Sequence, residues 1–176
     1  MIVFLSILLL AAAIIDLKTY RIPNYLILSG ILAALAFHFS SDGFNGLLFS
    51  FLGIVVGIGL LIIPYLMGGM GAGDAKLMGA VGGMLGPKGV FIAFLLTALV
   101  GGIYALGILA YYGGFRETLL RYLQMLKIFF LTGKVSYVSP PVQDAKPRLR
   151  YGIAISLGTV IAVFMNNKID EILHLN

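Results

Sequence analysis

The chain has 176 residues, 60% of them hydrophobic and 11% charged, at a mean hydropathy of +1.05. Soluble domains carry about 25% charged residues, so this composition excludes an ordinary water-soluble fold. It implies an all-α, polytopic membrane protein forming a single domain over 1–176. The net charge of +5 is read through its distribution along the chain, and no nucleic-acid partner is expected. Cysteine is absent and the two histidines, His38 and His174, lie far apart. Disulfides, thiolate nucleophiles, Cys-ligated metal and a multi-histidine metal site are therefore excluded, a Ser-His triad is not expected, and neither metal nor cofactor is expected.

Six apolar segments follow in chain order, at about 1–17, 24–39, 46–67, 74–86, 90–112 and 151–166. The first, beginning MIVFLSILLLAAAII, has no basic residue ahead of it and no clear small-residue cleavage site. It reads as a span rather than a secretory leader. The fourth is the shortest: at ~1.5 Å per residue it covers ~20 Å of a hydrocarbon core ~30 Å thick. It either crosses by recruiting neighbouring residues and thinning the bilayer, or it re-enters.

Charge arbitrates between these. With six spans and both termini outside, ten of the twelve Lys and Arg are cytoplasmic: Lys18, Arg21, Lys76, Arg116, Arg121, Lys127, Lys134, Lys146, Arg148 and Arg150. A re-entrant fourth segment would place the seven basic residues of 113–150 outside, against the positive-inside bias. Six spans are therefore expected, in the cell membrane.

Glycines recur at small-xxx-small spacing, as in Gly53 to Gly57 and Gly79 to Gly83. Close helix packing is the plain reading of that pattern. Pro64 is expected to kink the third segment near its inner end. Loop 113–150 opens with FRETLLRYLQMLKIFFL, whose charges interrupt apolar residues as in a helix lying on the cytoplasmic leaflet. The basic, Pro-containing KVSYVSPPVQDAKPRLR then reads as solvated loop.

Two acids stand apart from the rest. Asp16 closes the first segment and Asp74 opens the fourth, and in the six-span topology both lie at the cytoplasmic end. Three readings compete. Each Asp could cap a helix or pair with Lys18 or Lys76 at the interface. The acids could belong to a small proton- or cation-coupled transporter, although no further acids continue a path through the spans. Or the two could share a proton and activate water against a carbonyl, as paired aspartates do. In that case Asp74, at a helix N-terminus, suits the base, and Asp16, near a helix C-terminus, suits the acid. Gly71 and Gly73 leave room beside Asp74 for a sharp turn or an extended peptide, and Pro23 starts the second segment just after the Asp16 loop.

Asp16 with Ile22-Pro23-Asn24 (DLKTYRIPN), followed by Gly71-Ala72-Gly73-Asp74-Ala75-Lys76-Leu77 (GAGDAKL), resembles the type IV prepilin peptidases, intramembrane aspartic proteases of the GxGD type. The resemblance covers 1–112, and Arg150-Tyr151-Gly152-Ile153-Ala154 is similar to the family's last helix. It implies cleavage of the short basic leader of prepilin-like precursors at the cytoplasmic membrane face, with Asp16 and Asp74 as the catalytic pair. The implied partners are a substrate with a basic leader and an apolar helix, and the lipid bilayer. Without cysteines or a sizeable domain between the first two segments, the chain is similar to the minimal peptidase-only members. Those include the peptidases of tight-adherence (Flp) pilus systems and the archaeal preflagellin peptidases. N-methylation of the product is not expected.

Overall fold

The computed structural model describes residues 1–112, 115–133 and 151–174. The remainder of the loop, 134–150, on which the solvated stretch was expected, lies outside them. Five helices follow in order: α1 (Ile2–Thr19), α2 (Asn24–Leu66), α3 (Ala72–Tyr112), α4 (Phe115–Thr132) and α5 (Tyr151–His174). There is no strand among the described residues. Among the described residues, three helices are long and apolar enough to cross a membrane: Ile2–Thr19, Asn24–Leu66 and Ala72–Gly107. Tyr151–Met165 is a shorter apolar helix.

Two of the long helices are broken, and both breaks are at glycine. Gly43 interrupts α2 at φ 58°, ψ −134°, and Gly86 interrupts α3 at φ 72°, ψ 179°. Both conformations have positive φ, where a Cβ is strained. The chain doubles back at each break. A Cβ on Gly46 would run into the carbonyl of His38, and one on Gly82 would lie 3.3 Å from Val90. In a straight helix eight residues would separate these partners by ~12 Å. The breaks fall between the predicted segments 24–39 and 46–67 and at the end of 74–86. Pro64 is accompanied by no non-helical dihedral. It sits in the last turn of α2, and its carbonyl accepts from Gly69 N–H at 3.0 Å.

The stretch of α3 before Gly86 is the centre of the molecule. Leu77, Met78, Ala80 and Val81 are fully buried, and Met84 nearly so. On one side this stretch meets the later half of α2 backbone to backbone. A Cβ on Gly53 would strike the Gly82 carbonyl, and one on Gly57 the Met78 carbonyl. Gly79 and Gly83 lie against Ile58 and Ile54, so both small-xxx-small patterns meet in one interface. The Ser50 hydroxyl, buried there, donates to the Gly83 carbonyl at 2.9 Å. On another side Gly30 and Ala34 of α2 face Ala80 and Gly83. The segment that looked too short to span is thus enclosed by protein, where its length need not match the thickness of the lipid.

α1 and α5 complete the bundle. Leu5, Leu8, Leu9, Ala12 and Asp16 face inward at helical spacing, while Val3, Ile7, Leu10, Ile14 and Leu17 point outward. An apolar exterior on an already apolar helix is what a lipid solvent permits. α4 is helical where the cytoplasmic-leaflet helix was expected, with Met125 buried and Leu119, Leu123, Leu126 and Phe130 exposed.

Candidate active site

The site is assembled from the ends of α1, α2 and α3. α1 ends when Tyr20 adopts a left-handed conformation (φ 54°, ψ 25°) and its N–H donates to the Asp16 carbonyl at 3.0 Å. Non-glycine residues rarely hold this geometry. The Thr19 hydroxyl steadies the turn, shared between the carbonyls of Ile15 and Arg21 at 2.9 Å each. The chain then passes through Ile22 and Pro23 into α2, Pro23 taking the extended N-cap position (φ −70°, ψ 139°).

This turn packs on the start of α3. Ile22 is buried, and a Cβ on Gly73 would sit 3.3 Å from the Ile22 Cβ and 3.5 Å from its carbonyl oxygen. The small residue at 73 therefore lets the Ile22-Pro23 strand close onto the helix start. At Gly71 the nearest neighbour is different: a Cβ there would lie 3.4 Å from Asp74 Oδ2. Lys76 and Asn24, both exposed, meet across the same junction, with Lys76 Nζ donating to Asn24 Oδ1 at 3.1 Å.

Asp16 and Asp74 are buried, at 5% and 8% exposure. Asp74 lies in the first turn of α3, and its Oδ2 accepts the Gly71 N–H at 3.0 Å. A carboxylate closing the loop that precedes its own helix satisfies an otherwise orphaned amide and sits at the positive end of the helix dipole. Asp16 comes from another helix but reaches the same end of the bundle, where the turn that follows it sets Ile22 against Gly73, the residue before Asp74. Lys76, considered in the sequence as a partner for the acids, donates instead to Asn24 Oδ1.

All eight residues singled out in the sequence, Asp16, Ile22, Pro23, Asn24, Gly71, Gly73, Asp74 and Lys76, thus lie at one end of the bundle. Two neighbours were missed as site residues. Tyr20 carries no sequence mark of its left-handed turn. Gly152 of α5 abuts Asp16 so closely that a Cβ would lie 2.8 Å from Oδ2. The small residue in Tyr151-Gly152-Ile153 is visible in the sequence, but its partner is 136 positions away.

The family model for the type IV leader peptidase family matches residues 3–106, which include α1, α2 and most of α3. No curated protein and no solved structure matches the chain. The match covers more than half of the chain, including both buried aspartates and the glycine-rich turn between α2 and α3, and the protein accordingly belongs to the type IV leader peptidase family, as a helical membrane peptidase.

Proposed function

We propose that this protein is an aspartic endopeptidase that removes the short basic leader of prepilin-like precursors at the cytoplasmic face of the cell membrane. The observation that carries this reading is the pair of buried carboxylates, Asp16 and Asp74, brought from two helices to one end of the bundle. Family membership supplies the reaction class. Six crossings with both termini outside are supported by the reversals at Gly43 and Gly86, which divide α2 and α3 into two apolar stretches each. In that topology the basic residues collect on the cytoplasmic side together with the aspartates.

In the proposed mechanism a water lies between the two carboxyl groups, which hold one proton between them. Asp74, whose carboxylate accepts the Gly71 amide hydrogen bond, is the ionised member of the pair and takes a proton from the water as its oxygen attacks the scissile carbonyl. Asp16 donates its proton to the carbonyl oxygen, giving a neutral tetrahedral diol. Collapse returns a proton through the pair to the leaving amine, and the C–N bond breaks. No metal or covalent acyl-enzyme is required. A basic leader would remain in the cytoplasm while the apolar helix of the precursor stays in the bilayer, so the bond to be cut lies at the level of the pair.

The test is cleavage of candidate prepilins by the purified protein in lipid, with the new N-terminus sequenced. Asp16→Asn and Asp74→Asn must each abolish cleavage while leaving the fold intact. Unimpaired cleavage by either variant would sink the mechanism.

A further inference from the structure

We propose that Gly152 is a positioning residue for the carboxylate of Asp16, an inference that rests on the aspartate mechanism above. Gly152 is the second residue of α5 and is buried. A Cβ at this position would lie 2.8 Å from Asp16 Oδ2, 3.1 Å from its Cγ and 3.1 Å from its Cβ. All three distances are shorter than the about 3.5 Å at which such atoms make favourable contact. The backbone of α5 therefore forms a wall directly against the carboxyl group, on an element that supplies neither aspartate.

Neither helix is free to draw back. One turn further along α5, the buried Ser156 hydroxyl is shared between the Leu9 carbonyl of α1 at 3.0 Å and the Gly152 carbonyl at 2.8 Å. On the other side, the Asp16 carbonyl is held by the Tyr20 amide in the left-handed cap. A methyl group at 152 is accommodated by turning the Asp16 carboxylate away from the Oδ2 and Cγ contacts and by displacing the Asp16 Cβ by a few tenths of an ångström, and both changes alter the distance and angle of the carboxylate to Asp74. Reactions that depend on near-attack geometry lose about 100-fold for a displacement of ~1 Å.

Two experiments on the full-length protein in lipid test this. In the first, G152A is compared with G158A, a packing control in which the new methyl would meet Thr97. G152A retains a KM within about threefold of wild type but loses about 100-fold in kcat per folded molecule, with a displaced pH profile. G158A loses thermal stability while its folded fraction keeps the wild-type kcat and pH profile. A G152A enzyme with wild-type kcat and pH profile overturns the inference, whereas a wild-type chain that cleaves no prepilin overturns the proposed function instead.

The second experiment needs no activity and decides the matter if G152A does not accumulate. The chain contains no cysteine, so a D16C/G152C pair is the only thiol pair present, and a Cβ separation of 3.1 Å falls just under the range of about 3.5–4.5 Å found in disulfides. Oxidation in membranes is expected to remove both thiols from alkylation, as in a G101C/A154C control, where a Cβ on Gly101 would lie 3.6 Å from that of Ala154. Protection of the control pair with full alkylation of D16C/G152C would overturn the contact on which the inference stands.

Discussion

The ammonium group of Lys76 donates to the side-chain carbonyl of Asn24 at 3.1 Å, tying the start of α3 to the start of α2 across 52 residues of sequence. Both aspartates lie within a few residues of the elements so joined: Asp74 is two residues before Lys76, and Asp16 ends the helix that leads through Ile22 and Pro23 to Asn24. A charged donor to a neutral acceptor contributes about 1.5–3 kcal/mol when buried and less at an exposed junction such as this one. Lys76→Met and Asn24→Ala are therefore expected to lower activity about tenfold each. The double variant should be little worse than either single one, the signature of a shared contact in a double-mutant cycle. Strictly additive losses would show that the two residues act separately.

Asn substitution at the aspartates has a sharper signature. General acid–base groups contribute about 10²–10⁴-fold, so D16N and D74N are each expected to lose at least about 10³-fold in kcat. D16N/D74N should fall no further, because two residues that work as a unit fail as a unit. Cleavage by the wild-type enzyme should show a bell-shaped pH dependence, falling where both carboxyls are protonated and again where both are ionised. The two limbs belong to the pair and not to either residue.

The two glycine breaks should respond differently to alanine. At Gly86 the left-handed φ is combined with an aromatic obstacle, since a Cβ would run into the ring of Phe49. At Gly43 the φ is similar but nothing lies within 4 Å. Backbone strain of this kind costs about 1–3 kcal/mol, and G86A adds to it an overpacking term of about 1–3 kcal/mol. Thermal unfolding in detergent should rank wild type above G43A and G43A above G86A. Equal losses would mean that the Phe49 contact carries no weight.

Backbone contact between the later half of α2 and the start of α3 should make Gly53 and Gly82 intolerant of any side chain. G53A is expected to lower stability by at least about 1–3 kcal/mol and, by shifting α3, to reduce cleavage as well. G59A, on the same helix but with no neighbour within 4 Å, should be tolerated. The pair of variants separates the packing contact from a general effect of replacing glycine in a helix.

The proposed topology is open to labelling because the chain has no native thiol. Single cysteines at the exposed positions Asp42 and Lys88 should react with an impermeant maleimide added to intact cells. Cysteines at Tyr20 and Gly133, also exposed, should react only after the membrane is opened. The reverse pattern would invert the orientation and move the aspartates to the outer face.

The sequence by itself determined what local chemistry and charge can determine. Uniform apolarity marked the helical segments, and the glycines in 70–79 and the Ile22-Pro23-Asn24 turn marked the ends where the aspartates sit. What it left open was which side of each segment faces inward, because a helix that is apolar all round has no periodicity to read. Only the tertiary structure made 74–86 the enclosed centre of the bundle, set Gly73 against Ile22, and turned Gly152 onto Asp16. Those relations join residues from 51 to 136 positions apart. They depend on how closely glycine lets two backbones approach, a property of helix pairs that neither helix displays alone.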